Sequence, residues 1–265
     1  MHVESHFFVP AGRGVQRKEV VTMRQVVTVG GKIIRRMAVA VMGLVALVNF
    51  GPAGAIAISM LVSLAVYAVA FGFKFALGFV LLLLFHELGH VMASRAVGMK
   101  TQGPIFVPFV GAALALKDVP ANARMEANIA IGGPALGTLS ALVCLTCYLW
   151  TDNMLLLVLS YTACLLNLFN LIPCDPLDGG KIAGAISPHM WWVGTIVIGL
   201  LFIYTHNLFI LLIFFVSLLR LWRGDYSNKV YYHLTLGQRL TMFWWYVGLL
   251  LVLGVATLYI AETIR

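Results

Sequence analysis

Charge is what this 265-residue chain has least of: 11% of its residues are Asp, Glu, Lys or Arg, and only ten are acidic. Soluble domains carry roughly 25% charged residues and about 45–50% apolar ones; here 61% are hydrophobic. Too little polar surface remains to coat a globule, so the chain reads as an all-α polytopic membrane protein. Cysteine is sparse as well. The four, Cys144, Cys147, Cys164 and Cys174, lie in or beside apolar runs. That pattern gives no disulfide framework and no soluble zinc ribbon. Cys144 and Cys147 share an apolar stretch and read as small packing residues. Residues 1–30 lack a sustained apolar core, so no cleavable signal peptide is expected. The net charge of +8 raises a nucleic-acid reading, but the basic residues follow the membrane topology instead of forming one patch. No nucleic-acid partner is expected.

Long apolar runs are what the chain has in abundance, at 37–50, 54–72, 75–97, 127–149, 153–172, 191–204, 207–222 and 242–261. A span takes about 20 residues, so 37–50 and 191–204 are short. Lys and Arg mark the cytoplasmic side of a membrane protein. The side at the end of 75–97 receives Arg95, Lys100, Lys117, Arg124, Lys181, Arg220, Arg223, Lys229 and Arg239, whereas the other side receives Lys74 and Arg265. Residues 1–36 are polar and basic and read as a tail on the same basic side. One crossing between 37 and 72 then gives about seven spans. The expected location is a cell membrane, with the N-terminus cytoplasmic. Residues 101–120, TQGPIFVPFVGAALALKDVP, are apolar but interrupted by Gly103, Pro104, Pro108 and Gly111. They predict a short membrane-associated hairpin, since irregular backbone at depth is tolerated only against protein or a watery cavity.

Three ionisable residues, His86, Glu87 and His90, sit inside one of these runs, in LLLLFHELGHVMAS. Ionisable side chains within a span face the bundle interior and mark function. Four residues apart on a helix, the two imidazoles project from one face. H-E-x-x-H of this kind binds zinc through both histidines, with the glutamate as proton carrier. A hydrolytic zinc takes a third protein ligand. Glu126, Asp152, Asp175 and Asp178 are the acids near other spans. Asp178 stands out in NLFNLIPCDPLDGGKI, where Pro173, Pro176, Gly179 and Gly180 break a helix and turn the chain back toward the bundle.

HELGH, then an apolar loop, then IGGPALG, then NLIPCDPLDGG at the end of a later span, resembles the site-2 protease family of intramembrane zinc metalloproteases. The resemblance covers roughly residues 55–222 and implies a six-helix core. It implies one zinc ion held by His86, His90 and Asp178, with Glu87 as catalytic base and Asn170 near the reacting carbonyl. Asp175 is a second acid beside the expected ligand, though spacing favours Asp178. The resemblance also implies that Gly132-Gly133-Pro134 packs close to the catalytic helix, and that loop 101–120, with Gly111, guides substrate. Residues 1–36 then form a basic cytoplasmic tail and 37–222 the metalloprotease core. Residues 223–265 form a cytoplasmic loop and an extra transmembrane helix. No inserted PDZ or CBS domain is seen. The implied activity is an endopeptidase acting on single-span membrane proteins in the lipid bilayer, through a site open to the cytoplasm. A zinc transporter and a non-catalytic zinc-binding scaffold are the alternatives. The clustering of ligands toward one side, with a base between the histidines, favours hydrolysis.

Overall fold

The computed structural model describes residues 52–108, 111–116, 118–223 and 230–265. The chain divides into two units, Met1–Gly54 and Ala55–Arg265, and all that follows except the first three residues of the first helix belongs to the second. The expected tail at 1–36, the apolar run at 37–50 and the basic residues Lys117 and Lys229 lie outside the described residues.

Eight helices and two strands are described: α1 (Pro52–Phe71), α2 (Phe73–Ala96), β1 (Thr101–Val107), β2 (Gly111–Leu116), α3 (Ala123–Thr151), α4 (Met154–Asn170), α5 (Asp178–Ile186), α6 (Met190–Thr205), α7 (Leu208–Arg223) and α8 (Leu236–Ile264). Their boundaries follow local chemistry. Gly72, at φ +86°, turns the chain between α1 and α2, a conformation only glycine adopts without strain. Across that turn Tyr67 meets Phe79 edge-on at 5.0 Å. Asn122 caps α3 by accepting from the Met125 amide at 2.9 Å, and Asn153 caps α4 through the Leu155 amide at 3.0 Å. Thr235 and Gln238 form a capping box at the start of α8, two otherwise unpaired backbone donors being satisfied this way. Hydrophobicity therefore places this helix late: the apolar run begins at 242, but the cap starts the helix at Leu236.

Residues 101–116 form two antiparallel strands, with Val107 opposite Gly111 and Thr101 opposite Leu116. The register slips between Thr101 and Pro104, where proline supplies no amide to the ladder. The outward-facing amide of Phe106 instead donates to Ser59 Oγ of α1 at 3.1 Å.

α3 is the centre of the bundle and packs on α2, α4, α5 and α8. Without water to drive association, membrane helices rely on small residues that let backbones approach. Gly89 of α2 and Gly132 of α3 do this reciprocally: a Cβ on either would collide with the carbonyl of the other. Four helices are long and apolar enough to cross a bilayer, over Gly54–Phe71, Phe73–Ala96, Ala123–Thr151 and Leu236–Ile264. α4, α6 and α7 are apolar but shorter, at 17, 16 and 16 residues. α4 stops at Asn170 because the proline-rich stretch beyond it cannot continue a helix.

Candidate metal centre

The middle of α2 presents His86 and His90 on one face, and α5 begins with Asp178. All three are buried. His86 Nε2 lies 3.3 Å and His90 Nε2 3.2 Å from the same oxygen, Asp178 Oδ2. The two Nε2 atoms are 3.2 Å apart. Among the described residues this is the one group of three His, Cys, Asp or Glu side chains able to share a metal ion.

The protons of the imidazoles are accounted for on their far sides. His86 Nδ1 donates to Asn167 Oδ1 at 2.9 Å, and Asn167 Nδ2 donates to the Ala163 carbonyl at 2.8 Å. The second bond fixes which end of the Asn167 amide faces the histidine. His90 Nδ1 donates to the Ile129 carbonyl at 2.8 Å. Pro134 lies inside α3 five residues further on, where its missing amide leaves the carbonyl of Ala130, next to Ile129, without its helical donor. Both imidazoles, neutral and protonated at Nδ1, then aim Nε2 lone pairs at a carboxylate oxygen that only accepts. Three lone pairs facing one another repel unless a cation stands between them. A tetrahedral zinc with bonds of about 2.0–2.1 Å has ligand atoms roughly 3.3–3.4 Å apart. The observed triangle matches that edge, so the donor set fits zinc.

Glycines make the room. A Cβ on Gly133 would collide with His90 Nε2 and come within 2.8 Å of His86 Nε2, and one on Gly137 would collide with Asn167 Oδ1. IGGPALG thus does more than bring α3 close to α2: it clears space for both ligand rings and for the asparagine that orients one of them.

Glu87, between the histidines, is buried, and its Oε2 has no hydrogen-bond partner among the described residues. An unpaired carboxylate oxygen at depth is costly and calls for a proton, a water or a cation. Lys181 Nζ stands 3.7 Å from Asp178 Oδ1, the carboxylate oxygen turned away from the histidines. Asp175 turns away altogether and pairs with Arg220, whose guanidinium lies over the Trp191 ring at 4.6 Å. Of the two neighbouring acids, only Asp178 reaches the imidazoles. Asn170 is the last residue of α4, half-buried and one turn beyond Asn167; Gly111 opens β2, opposite Val107. The part in orienting His86 falls to Asn167. Its place three residues before Asn170, on nearly the same helix face, was the available signal.

Two histidines from one helix, an aspartate from a broken segment and a glutamate with an unpaired oxygen make up a donor set of the kind that metal-dependent hydrolases use. A sequence profile described as Peptidase family M50 matches residues 74–153, which include His86, Glu87 and His90. A zinc metalloprotease of Methanocaldococcus jannaschii is 37% identical over 106 residues, 38% of this chain and 30% of that protein. Both matches support the likeness to the site-2 protease family over the stretch that carries HELGH. The matched stretch spans less than a third of that relative's length.

Proposed function

We propose that this chain is a zinc-dependent intramembrane endopeptidase. It hydrolyses peptide bonds in or next to transmembrane helices of single-span membrane proteins and releases a cytosolic fragment. One observation carries the reading: three potential ligand atoms form a triangle 3.2–3.3 Å on a side, next to a buried carboxylate with an unpaired oxygen. His86, His90 and Asp178 would hold a zinc ion, which would supply the Lewis acidity that makes water a nucleophile near neutral pH. Asn167 and the Ile129 carbonyl hold the two rings in the tautomer that binds metal. Glu87 accepts the proton of the attacking water and delivers it to the departing amine. Asn170 donates to the carbonyl oxygen as negative charge develops there.

A helical substrate hides its peptide bonds and must unwind before attack. Inside a bilayer the freed amides and carbonyls need partners, and an exposed strand edge supplies them. The Phe106 amide on the outer edge of β1 is already bonded to Ser59. β2 lies against α2, the helix that bears HELGH, and we assign its second edge to substrate. All seven longer apolar helices enter the bilayer in this reading, with the basic end and the opening of the site facing the cytoplasm.

The test is co-expression of the full chain with single-span candidate substrates, comparing wild type with Glu87→Gln. Cleavage by wild type, none by the variant, and equal zinc in both is the expected result. Metal flux across vesicles that persists in the variant, with no cleavage by either protein, would mean a transporter.

A further inference from the structure

α8 lies outside the stretch that matches the family profile, yet it grips the Asp178 segment at both ends. Before Asp178, the Tyr246 hydroxyl donates to the Leu171 carbonyl at 2.6 Å, and both residues are buried. After it, the Arg239 guanidinium donates to the Ile186 carbonyl at 2.5 Å and to the Tyr232 carbonyl at 2.9 Å. Leu171 closes α4, and Ile186 is the last residue of α5. Helix ends leave carbonyls without intrahelical donors, and hydrocarbon offers no water to satisfy them. α8 supplies the donors.

The contact at Leu171 continues to the metal ligand. Gly179 packs so tightly on the Leu171 carbonyl that a Cβ there would collide with it, and Gly179 is bonded to Asp178. A displacement of that carbonyl therefore moves the backbone that aims Asp178 Oδ2 at the two imidazoles. Trp191 Nε1, bonded to the Gly180 carbonyl at 2.6 Å, holds the next residue from α6.

We propose that Tyr246 is a positioning residue of the metal centre, seconded by Arg239, and that α8 is part of the catalytic unit. The inference rests on the metal-centre reading above. Its test uses the full chain in detergent, wild type and Tyr246→Phe, loaded with zinc or cobalt(II). Zinc affinity is measured by chelator competition, cobalt coordination by visible absorption, and metal-free stability by thermal unfolding. The variant keeps the ring but leaves the Leu171 carbonyl without its donor, so we expect a modestly lowered metal-free midpoint, roughly tenfold weaker zinc binding as for other groups that orient ligands, and a shifted cobalt spectrum. A wild-type cobalt spectrum and affinity in the variant overturn the inference, whatever its stability. Should Tyr246→Phe fail to fold, Arg239→Gln, read in the same way, decides. A wild type that binds no metal overturns the metal-centre reading itself, and this inference with it.

Discussion

Asn167 and Gly133 act on the metal ligands without offering a ligand atom of their own. Asn167 takes the Nδ1 proton of His86 at 2.9 Å; replaced by alanine, it leaves that proton without a partner and the ring free to turn. Zinc affinity of Asn167→Ala should fall about 10–100-fold, the usual cost of losing a group that orients a metal-bound histidine, and Asn167→Asp, which keeps an acceptor, should recover much of it. Chelator competition on the purified variants distinguishes the two. Gly133→Ala puts a methyl group where His90 Nε2 now lies, so we expect metal binding to be lost while the helices still assemble, read as zinc content against thermal unfolding. At this scale the sequence is readable where a residue is chemically out of place. Two histidines and a glutamate in a run of leucines declare themselves. Asn167 does not, because an asparagine in a membrane helix is equally suited to bonding a neighbouring helix. Only its distance to His86 separates those roles.

Helices are legible from hydrophobicity and caps, and their contacts are much less so. α3 shows why. Its sequence announces a proline and three nearby glycines, but not that Gly89 of α2 answers Gly132 across the interface. Inserting a methyl at Gly89 should force the two backbones apart at the turn that carries His90. Gly89→Ala should therefore cost about 1–3 kcal/mol, the range for overpacked cores, and weaken zinc binding as well. Gly248→Ala is the matched control, since nothing lies within 4 Å of a Cβ there, and its stability should stay within about 1 kcal/mol of wild type. The hairpin calls for the opposite separation. Gly111 begins β2 and offers no ligand atom to the triangle, and Gly111→Val stiffens the strand start assigned to substrate. Cleavage should drop while zinc content stays normal; loss of zinc in that variant would mean that the hairpin supports the metal site instead. The short α5 escapes a hydropathy reading because its nine residues include three glycines, and it exists as the platform for Asp178 in a segment that the prolines remove from α4.

For the whole molecule, the count of basic residues predicts orientation, but two of those residues have structural duties. Arg220 pairs with Asp175 and covers Trp191, and Arg239 bonds the Ile186 and Tyr232 carbonyls. They mark the basic end partly because the site is built there, so the topology rule and the architecture are not independent. A direct probe is needed. The Ala123 amide bonds the Tyr231 carbonyl at 3.1 Å and Trp191 meets Tyr232 edge-on at 5.9 Å, so the starts of α3 and α6 share one end with the loop before α8. Asp152, after α3, and His206, after α6, then share the other end, and both are exposed, as are Lys100 and His233 at the basic end. The native cysteines are half-buried or buried, so a membrane-impermeant maleimide should leave wild type almost unlabelled. In intact cells Asp152→Cys and His206→Cys should label, whereas Lys100→Cys and His233→Cys should label only after permeabilisation. The reverse pattern would place the opening of the metal site on the outer face. The fragment released by Glu87-dependent cleavage would then leave the cell instead of entering the cytosol.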